Sequence, residues 1–203
     1  MIVTAIEALS RSRSKVYLDE SFAFVLYKGE LRLYGVQEGE ALEEEAYRRI
    51  MEEILPKRAV LRCMNLLKSR AYTESQLREK LGQGLYPADC IDFALEYVKS
   101  YHYVDDGRYA AEYIENQRDK KSRRMMEQEL ARKGLPRELI EAAFESQEEQ
   151  GCVPDEDALA QKWIRKKRFD AETADFKERQ KMAAFLYRKG IGSEAIKKAL
   201  AIN

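Results

Sequence analysis

The sequence predicts a mainly α-helical protein: three tandem three-helix repeats forming an elongated, curved array, preceded by a small antiparallel β segment and a helix. Three observations carry this expectation. Apolar residues recur at helical spacing almost throughout the chain beyond Pro56. The run Glu129-Leu-Ala-Arg-Lys-Gly-Leu-Pro-Arg-Glu-Leu-Ile-Glu-Ala-Ala-Phe144 aligns without a gap on Phe185-Leu-Tyr-Arg-Lys-Gly-Ile-Gly-Ser-Glu-Ala-Ile-Lys-Lys-Ala-Leu200, 56 residues later. Strand-like alternation is confined to residues 1–36.

The elements follow in order. In 1–36, Val16, Leu18, Phe22, Phe24, Leu26, Leu31 and Leu33 alternate with other residues, and Asp19-Glu20-Ser21 and Lys28-Gly29-Glu30 are placed to make tight turns of a meander. Ala46, Ile50, Ile54 and Leu55 then mark a helix, which Pro56 is expected to stop, so 1–56 is read as one segment. In the first repeat, 57–104, Val60, Cys63, Met64 and Leu67 line one helix, and Thr73-Glu-Ser-Gln76 is a capping box for a second carrying Leu77 and Leu81. Gly82 and Gly84 mark its end. Pro87 opens a third helix with Ile91, Ala94, Leu95 and Val98 on one face.

The second and third repeats, 105–150 and 151–203, follow the same plan. Leu81, Pro87, Ile91 and Ala94 correspond to Leu130, Pro136, Ile140 and Ala143, 49 residues later. Tyr109, Ala110, Tyr113 and Ile114 match Leu159, Ala160, Trp163 and Ile164 at a shift of 50. Gly134 and Gly190 supply the left-handed residue that ends a helix, and Pro136 starts the next. A unit of this size buries too little surface to stand alone, so neighbouring units should lean on each other.

Lys plus Arg and Asp plus Glu both total 36, so no net field holds the protein on nucleic acid or an anionic membrane. Charge is nevertheless uneven: residues 1–56 hold 7 basic and 11 acidic side chains, residues 151–203 hold 12 and 8. A basic patch therefore lies toward the C-terminus. Lys120, Lys121, Arg123 and Arg124, the helix bearing Lys162, Arg165, Lys166 and Arg168, and Arg188 are the candidates for touching phosphate or an acidic groove. The alternative is that they are ordinary solvated charges. Lys189, Lys197 and Lys198 extend the same surface.

Catalysis is not indicated. His102 is the sole histidine, so no two-histidine metal motif exists, and a capping or packing role suits it better than general-base work. Asp105-Asp106-Gly107 reads as a helix start rather than a metal site. No phosphate-binding glycine loop occurs. Cys63, Cys90 and Cys152 are too far apart for a zinc or disulfide framework, and the absence of a leader or spanning segment points to the cytoplasm. Tyr101, Tyr103, Tyr109, Tyr113 and Trp163 are expected in the core rather than as platforms for bases.

Three runs in succession, Arg70-Ala-Tyr-Thr-Glu-Ser-Gln-Leu-Arg-Glu-Lys-Leu81, Tyr103-Val-Asp-Asp-Gly-Arg-Tyr-Ala110 and Glu129-Leu-Ala-Arg-Lys-Gly-Leu135, resemble the signatures of the RecX family of bacterial recombination regulators, over about residues 57–203. The resemblance implies a cofactor-free, monomeric inhibitor that binds the RecA filament on single-stranded DNA. It would restrain filament extension and lower strand exchange, ATP hydrolysis and coprotease activity in the damage response. Gln76 stands where the family usually has an acid, His102 where a Gly commonly precedes the aromatic, and Ser122 where a Gly often opens the second unit's middle helix. A direct DNA-binding module is the alternative, since 125–144 superficially has the helix-turn-helix form, although Glu138, Glu141 and Glu145 weigh against it.

Overall fold

The computed structural model describes residues 1–171 and 173–201, and divides into two compact units, Met1–Asp105 and Asp106–Asn203. The first unit opens with strands β1 (Val3–Ala8), β2 (Arg13–Leu18) and β3 (Ser21–Tyr27), an antiparallel sheet in the order β1-β2-β3. The β2–β3 turn is the expected one. Asp19 and Glu20 both take positive φ, as a two-residue hairpin loop requires, and β1 straps it: Asp19 Oδ1 accepts from Ile2 N at 2.8 Å and Thr4 Oγ1 from Glu20 N at 2.9 Å.

Two expectations for this segment are corrected. Lys28-Gly29-Glu30 does not turn into another strand but forms the first turn of a short helix, α1 (Lys28–Leu33), leaving Leu31 against the core and Leu33 exposed. Glu30 explains it. Its carboxylate accepts from Tyr27 N at 2.7 Å and pairs with Arg58, a residue far along the chain. Nor does Pro56 stop the helix: α2 (Glu44–Arg49) runs through a π-helical stretch, Ile50–Ile54, into α3 (Leu55–Leu67) with helical backbone throughout. The widened turn falls just where the proline ring would meet the carbonyl four residues back, and so relieves the clash that breaks a regular helix.

The sheet packs onto the first repeat. Val3, Val16, Phe24 and Leu26 share a core with Leu42, Ile50, Leu55 and Cys90. Arg58 donates to Val25 O at 3.2 Å and lies 4.7 Å from the centre of the Tyr27 ring. The repeat itself comprises α3, α4 (Glu74–Gln83) and α5 (Ala88–Ser100), with Cys63, Leu77, Leu81, Ala94, Leu95 and Val98 buried. The Thr73 capping box is formed, and Gln76 does the work of an acid: its Oε1 accepts from Thr73 N at 3.3 Å while Thr73 Oγ1 accepts from Gln76 N at 3.2 Å.

The second unit holds α6 (Asp106–Gln117), α7 (Arg123–Arg132) and α8 (Arg137–Glu149), then α9 (Glu156–Lys167), α10 (Phe176–Arg188) and α11 (Ser193–Leu200), each trio around its own core. One turn recurs in all three repeats. After the middle helix a left-handed residue lets the chain double back: Tyr86 N donates to Leu81 O, Leu135 N to Leu130 O and Ile191 N to Leu186 O, at 3.2–3.3 Å. Gly134 and Gly190 occupy that position as expected, with φ of 85° and 79°. In the first repeat the residue is Leu85, at φ 61°, and not Gly82 or Gly84. The turn after the last helix is built likewise, on His102 in the first repeat and Gly151 in the second.

Repeats 2 and 3 meet at such a turn. Ser122 is buried and caps α7, accepting from Met125 N, while its hydroxyl donates to Lys189 O at 2.9 Å. A Cβ added at Gly190 would lie 2.3 Å from Ser122 Oγ. Gly190→Ala should therefore destabilise the protein by about 1–3 kcal/mol in urea unfolding, from backbone strain and the clash together. In a Ser122→Gly background the same change should cost less, because the closest clash is gone and the strain remains; equal costs in both backgrounds would show that the close approach is not felt.

Candidate partner-binding surface

The basic residues singled out from sequence separate into three groups. Lys121 and Arg123 are engaged within the second repeat. Lys121 pairs with Glu129 at 2.5 Å and donates to Tyr113 Oη at 2.9 Å, and Tyr113 itself hydrogen-bonds Glu129. Burial works against the Lys121 charge, but the bonds to Glu129 and Tyr113 outweigh it and raise its pKa. The same bonds, from Lys121 first and Tyr113 second, hold the Glu129 carboxyl below the usual range. Arg123 donates to Glu127 at 2.9 Å, lies 3.9 Å from Glu148 and covers the Phe144 ring at 4.7 Å. Tyr109 and Tyr113 pack against that core.

The second group gathers where repeats 2 and 3 meet. Lys162 Nζ donates to Asp119 O at 2.8 Å, which brings α9 against the loop carrying Lys120. Ser122 ties the same loop to the end of α10, and there Arg124 covers the exposed ring of Tyr187 at 5.0 Å. Lys166 and Lys189 both lie over Trp163, at 5.0 and 4.7 Å. Trp163 is half-buried on the third core, edge-on to Phe185. Lys120, Arg124, Lys162, Lys166 and Arg188 thus surround one junction, and no carboxylate ion pair engages any of them among the described residues. Arg165 and Arg168 form the third group, exposed on α9 and at its left-handed end.

Sequence reasoning missed the aromatic half of this surface. Tyr187 and Phe185 were not considered, and Trp163 was placed wholly inside. The signal was present in the spacing, since Trp163 precedes Lys166 and Lys167 by three and four positions and Tyr187 adjoins Arg188 and Lys189. Cations laid over rings keep their charge while covering apolar surface. Conversely, Tyr101 and Tyr103 are not core: the left-handed turn at His102 carries them outward, 59% and 50% exposed, into a surface cluster with Tyr97.

Chemically the junction can attract and orient anionic groups. Burial pushes the Cys63 and Cys90 thiols up to about 11, leaving them protonated at neutral pH. Among the described residues there is no group of three or more His, Cys, Asp or Glu able to hold a metal, and no helix long and apolar enough to cross a membrane.

These features define a helical-repeat protein with a basic, ring-lined junction between its second and third repeats. Models of RecX match it in three successive pieces, the first three-helix domain over residues 59–97, the second over 105–143 and the third over 155–200. The chain belongs to the RecX family. It is 29% identical over 204 residues to regulatory protein RecX of Caldanaerobacter subterraneus subsp. tengcongensis, with 100% of both chains covered. It is also 29% identical to regulatory protein RecX of Clostridium perfringens strain 13, covering 93% of this chain and 89% of that one. A crystal structure of regulatory protein RecX superposes with a TM-score of 0.65 at 23% identity over the whole of both chains. RecX from Lactobacillus salivarius does so at 0.60 and 18%, covering 72% of this chain and 95% of that one. The first of these relatives aligns along the N-terminal sheet as well as the repeats.

The Glu129 network sets an acid-limb test. A carboxyl whose folded pKa is depressed contributes stability above its ordinary range and loses it as pH falls through the folded value. Glu129→Gln should lower the melting temperature at neutral pH, and the gap from the parent protein should narrow as pH falls below the ordinary carboxylate range and through the depressed folded value. A gap that persists unchanged in acid would assign the loss to packing.

Proposed function

We propose that this protein is a regulator that binds the RecA nucleoprotein filament and restrains its extension, lowering RecA's recombinase, ATPase and coprotease activities in the cytoplasm, by docking rather than turnover. The carrying observation is the junction of repeats 2 and 3, where five cations without an ion pair among the described residues stand beside the exposed ring of Tyr187 and the half-buried ring of Trp163. Membership of a family whose relatives are regulatory proteins supports a regulatory role, and the RecA target follows from the resemblance of the sequence signatures. Three unpaired cysteines suit a reducing compartment.

Direct DNA reading is less well supported. In a helix-turn-helix docking α8 would enter the groove, yet it carries Glu138, Glu141, Glu145, Glu148 and Glu149. Like charge against phosphate repels.

The decisive assay titrates the protein, well below the RecA concentration, into single-strand-dependent ATP hydrolysis by RecA. Inhibition is expected at such low ratios. Reversal of Lys120, Lys166 and Arg188 to Glu, which leaves the Lys162–Asp119 bond in place, should weaken it at least about tenfold with little change in melting temperature, since like charges brought together across an interface cost several kcal/mol. Reversal of Arg165 and Arg168 should matter much less. Equal loss from both sets would mean that general charge rather than the junction is responsible, and no inhibition by the parent protein would refute the RecA target.

A further inference from the structure

The middle and last helices of the repeats form corresponding grooves, and they differ in what lines them. In the second repeat the groove between α7 and α8 is bounded by Glu127, Gln128, Ala131, Arg137, Ile140 and Glu141. In the third, between α10 and α11, it is bounded by Ala183, Ala184, Tyr187, Ser193, Ile196 and Lys197, the same six positions 56 residues on, with Arg188 beside them. In the first repeat the positions of Glu127 and Glu141 belong to Arg78 and Asp92, which close the groove with an ion pair of 2.6 Å. In the second, each acid has its own cation on the same helix, Arg123 for Glu127 and Arg137 for Glu141.

The third groove is neither bridged nor neutralised in this way. Ala183 faces Lys197, whose one ion pair among the described residues is an exposed contact of 3.5 Å with Glu194 one turn earlier on α11. Such a pair is weak and yields readily to a competing carboxylate. The floor is made of small and aliphatic groups, Ala183, Ala184 and Ile196. Beyond Tyr187 and Arg188 the depression continues onto the second repeat, over Met125 and Gln128 to Arg124. Three cations and no carboxylate line the whole path among the described residues.

We propose that this groove seats an acidic amphipathic segment of a partner protein, with an apolar side chain on the alanine floor and carboxylates against Lys197, Arg188 and Arg124. A phosphodiester backbone satisfies the cations but offers nothing to the apolar floor, whereas such a segment complements both. Guanidinium groups at Arg124 and Arg188 can hold carboxylates through two parallel hydrogen bonds, as they can phosphate, so the apolar floor is what favours the peptide. The proposal rests on reading the junction as a binding surface and holds whether or not RecA is the partner.

The test uses the full chain and no RecA. A short fluorescent peptide of alternating Glu and Leu is titrated by anisotropy, beside a peptide with Ser for Leu and a single-stranded oligothymidylate. The Glu/Leu peptide should bind, the Ser version several-fold more weakly. Ala184→Glu, which fills the floor at an exposed helix position, and separately Lys197→Glu should each weaken binding about tenfold without changing helicity or melting temperature. Glu127→Lys, in the second groove, should leave it unaltered. No binding, equal binding of the Ser peptide, or indifference to both groove variants would overturn the proposal. Tighter binding of the oligonucleotide, lost in the same variants, would assign the groove to nucleic acid instead. Failure of RecA inhibition with intact peptide binding would refute the target and leave the groove standing.

Discussion

Each repeat depends on one backbone event: a single residue in the left-handed region after the middle helix. That conformation lets the amide three residues beyond the helix reach back to a carbonyl in its last turn, so Leu81, Leu130 and Leu186 are tied to Tyr86, Leu135 and Ile191. It satisfies helix-end carbonyls and fixes the direction of the last helix, which brings Ile91, Ile140 and Ile196 onto their cores. Everything apolar in the repeat is aimed by that turn. Its side chain matters less than its φ, which is why a half-buried Leu85 fills the position in the first repeat. At Gly190 no such exchange is available. There the turn also receives Ser122, and backbone strain and steric closeness act on the same atom.

Because this constraint is local, it was legible in the sequence. The Gly turns, the Thr73 capping box, the proline after each middle helix of the first two repeats and the isoleucine–alanine spacing of the last helices all act within a few residues of where they are written. The misreadings have other causes, a distant partner in one case and an unforeseen backbone conformation in the others. Lys28-Gly29-Glu30 looks like a turn, and becomes a helix because Glu30 has Arg58 to hold. Pro56 looks like a stop, and is tolerated because the preceding turn widens. Tyr101 and Tyr103 looked like core because aromatic residues usually are, yet His102 in a left-handed turn directs them outward.

The binding surface was legible in the same partial way. Composition located the basic end of the chain, and nine cations could be named, but not which of them had partners. Lys121 and Arg123 sit in the same short run as Lys120 and Arg124 and are indistinguishable from them by spacing. Their difference lies in Glu129, Tyr113, Glu127 and Glu148, whose reach is set by how α6, α7 and α8 pack. A basic run in a repeat protein therefore divides into charges that hold the fold and charges left for a partner, and only tertiary contacts make the division.

The division also indicates where such proteins acquire specificity. Positions that set the turns and cores are held nearly constant from repeat to repeat by packing. The groove-edge positions face solvent, cost the fold little and are free to change, and here they run from an Arg78–Asp92 pair, through two separately neutralised acids at Glu127 and Glu141, to Ala183 opposite Lys197. Three copies of one scaffold thus carry one closed edge, one acidic edge and one basic edge. An edge that is bridged or neutralised internally must break its own bonds before meeting a partner, whereas an open one binds without that cost. The last repeat, with Lys197, Arg188 and the adjoining Arg124 around an alanine floor, is consequently the place on this unit where association loses least of the protein's own interactions.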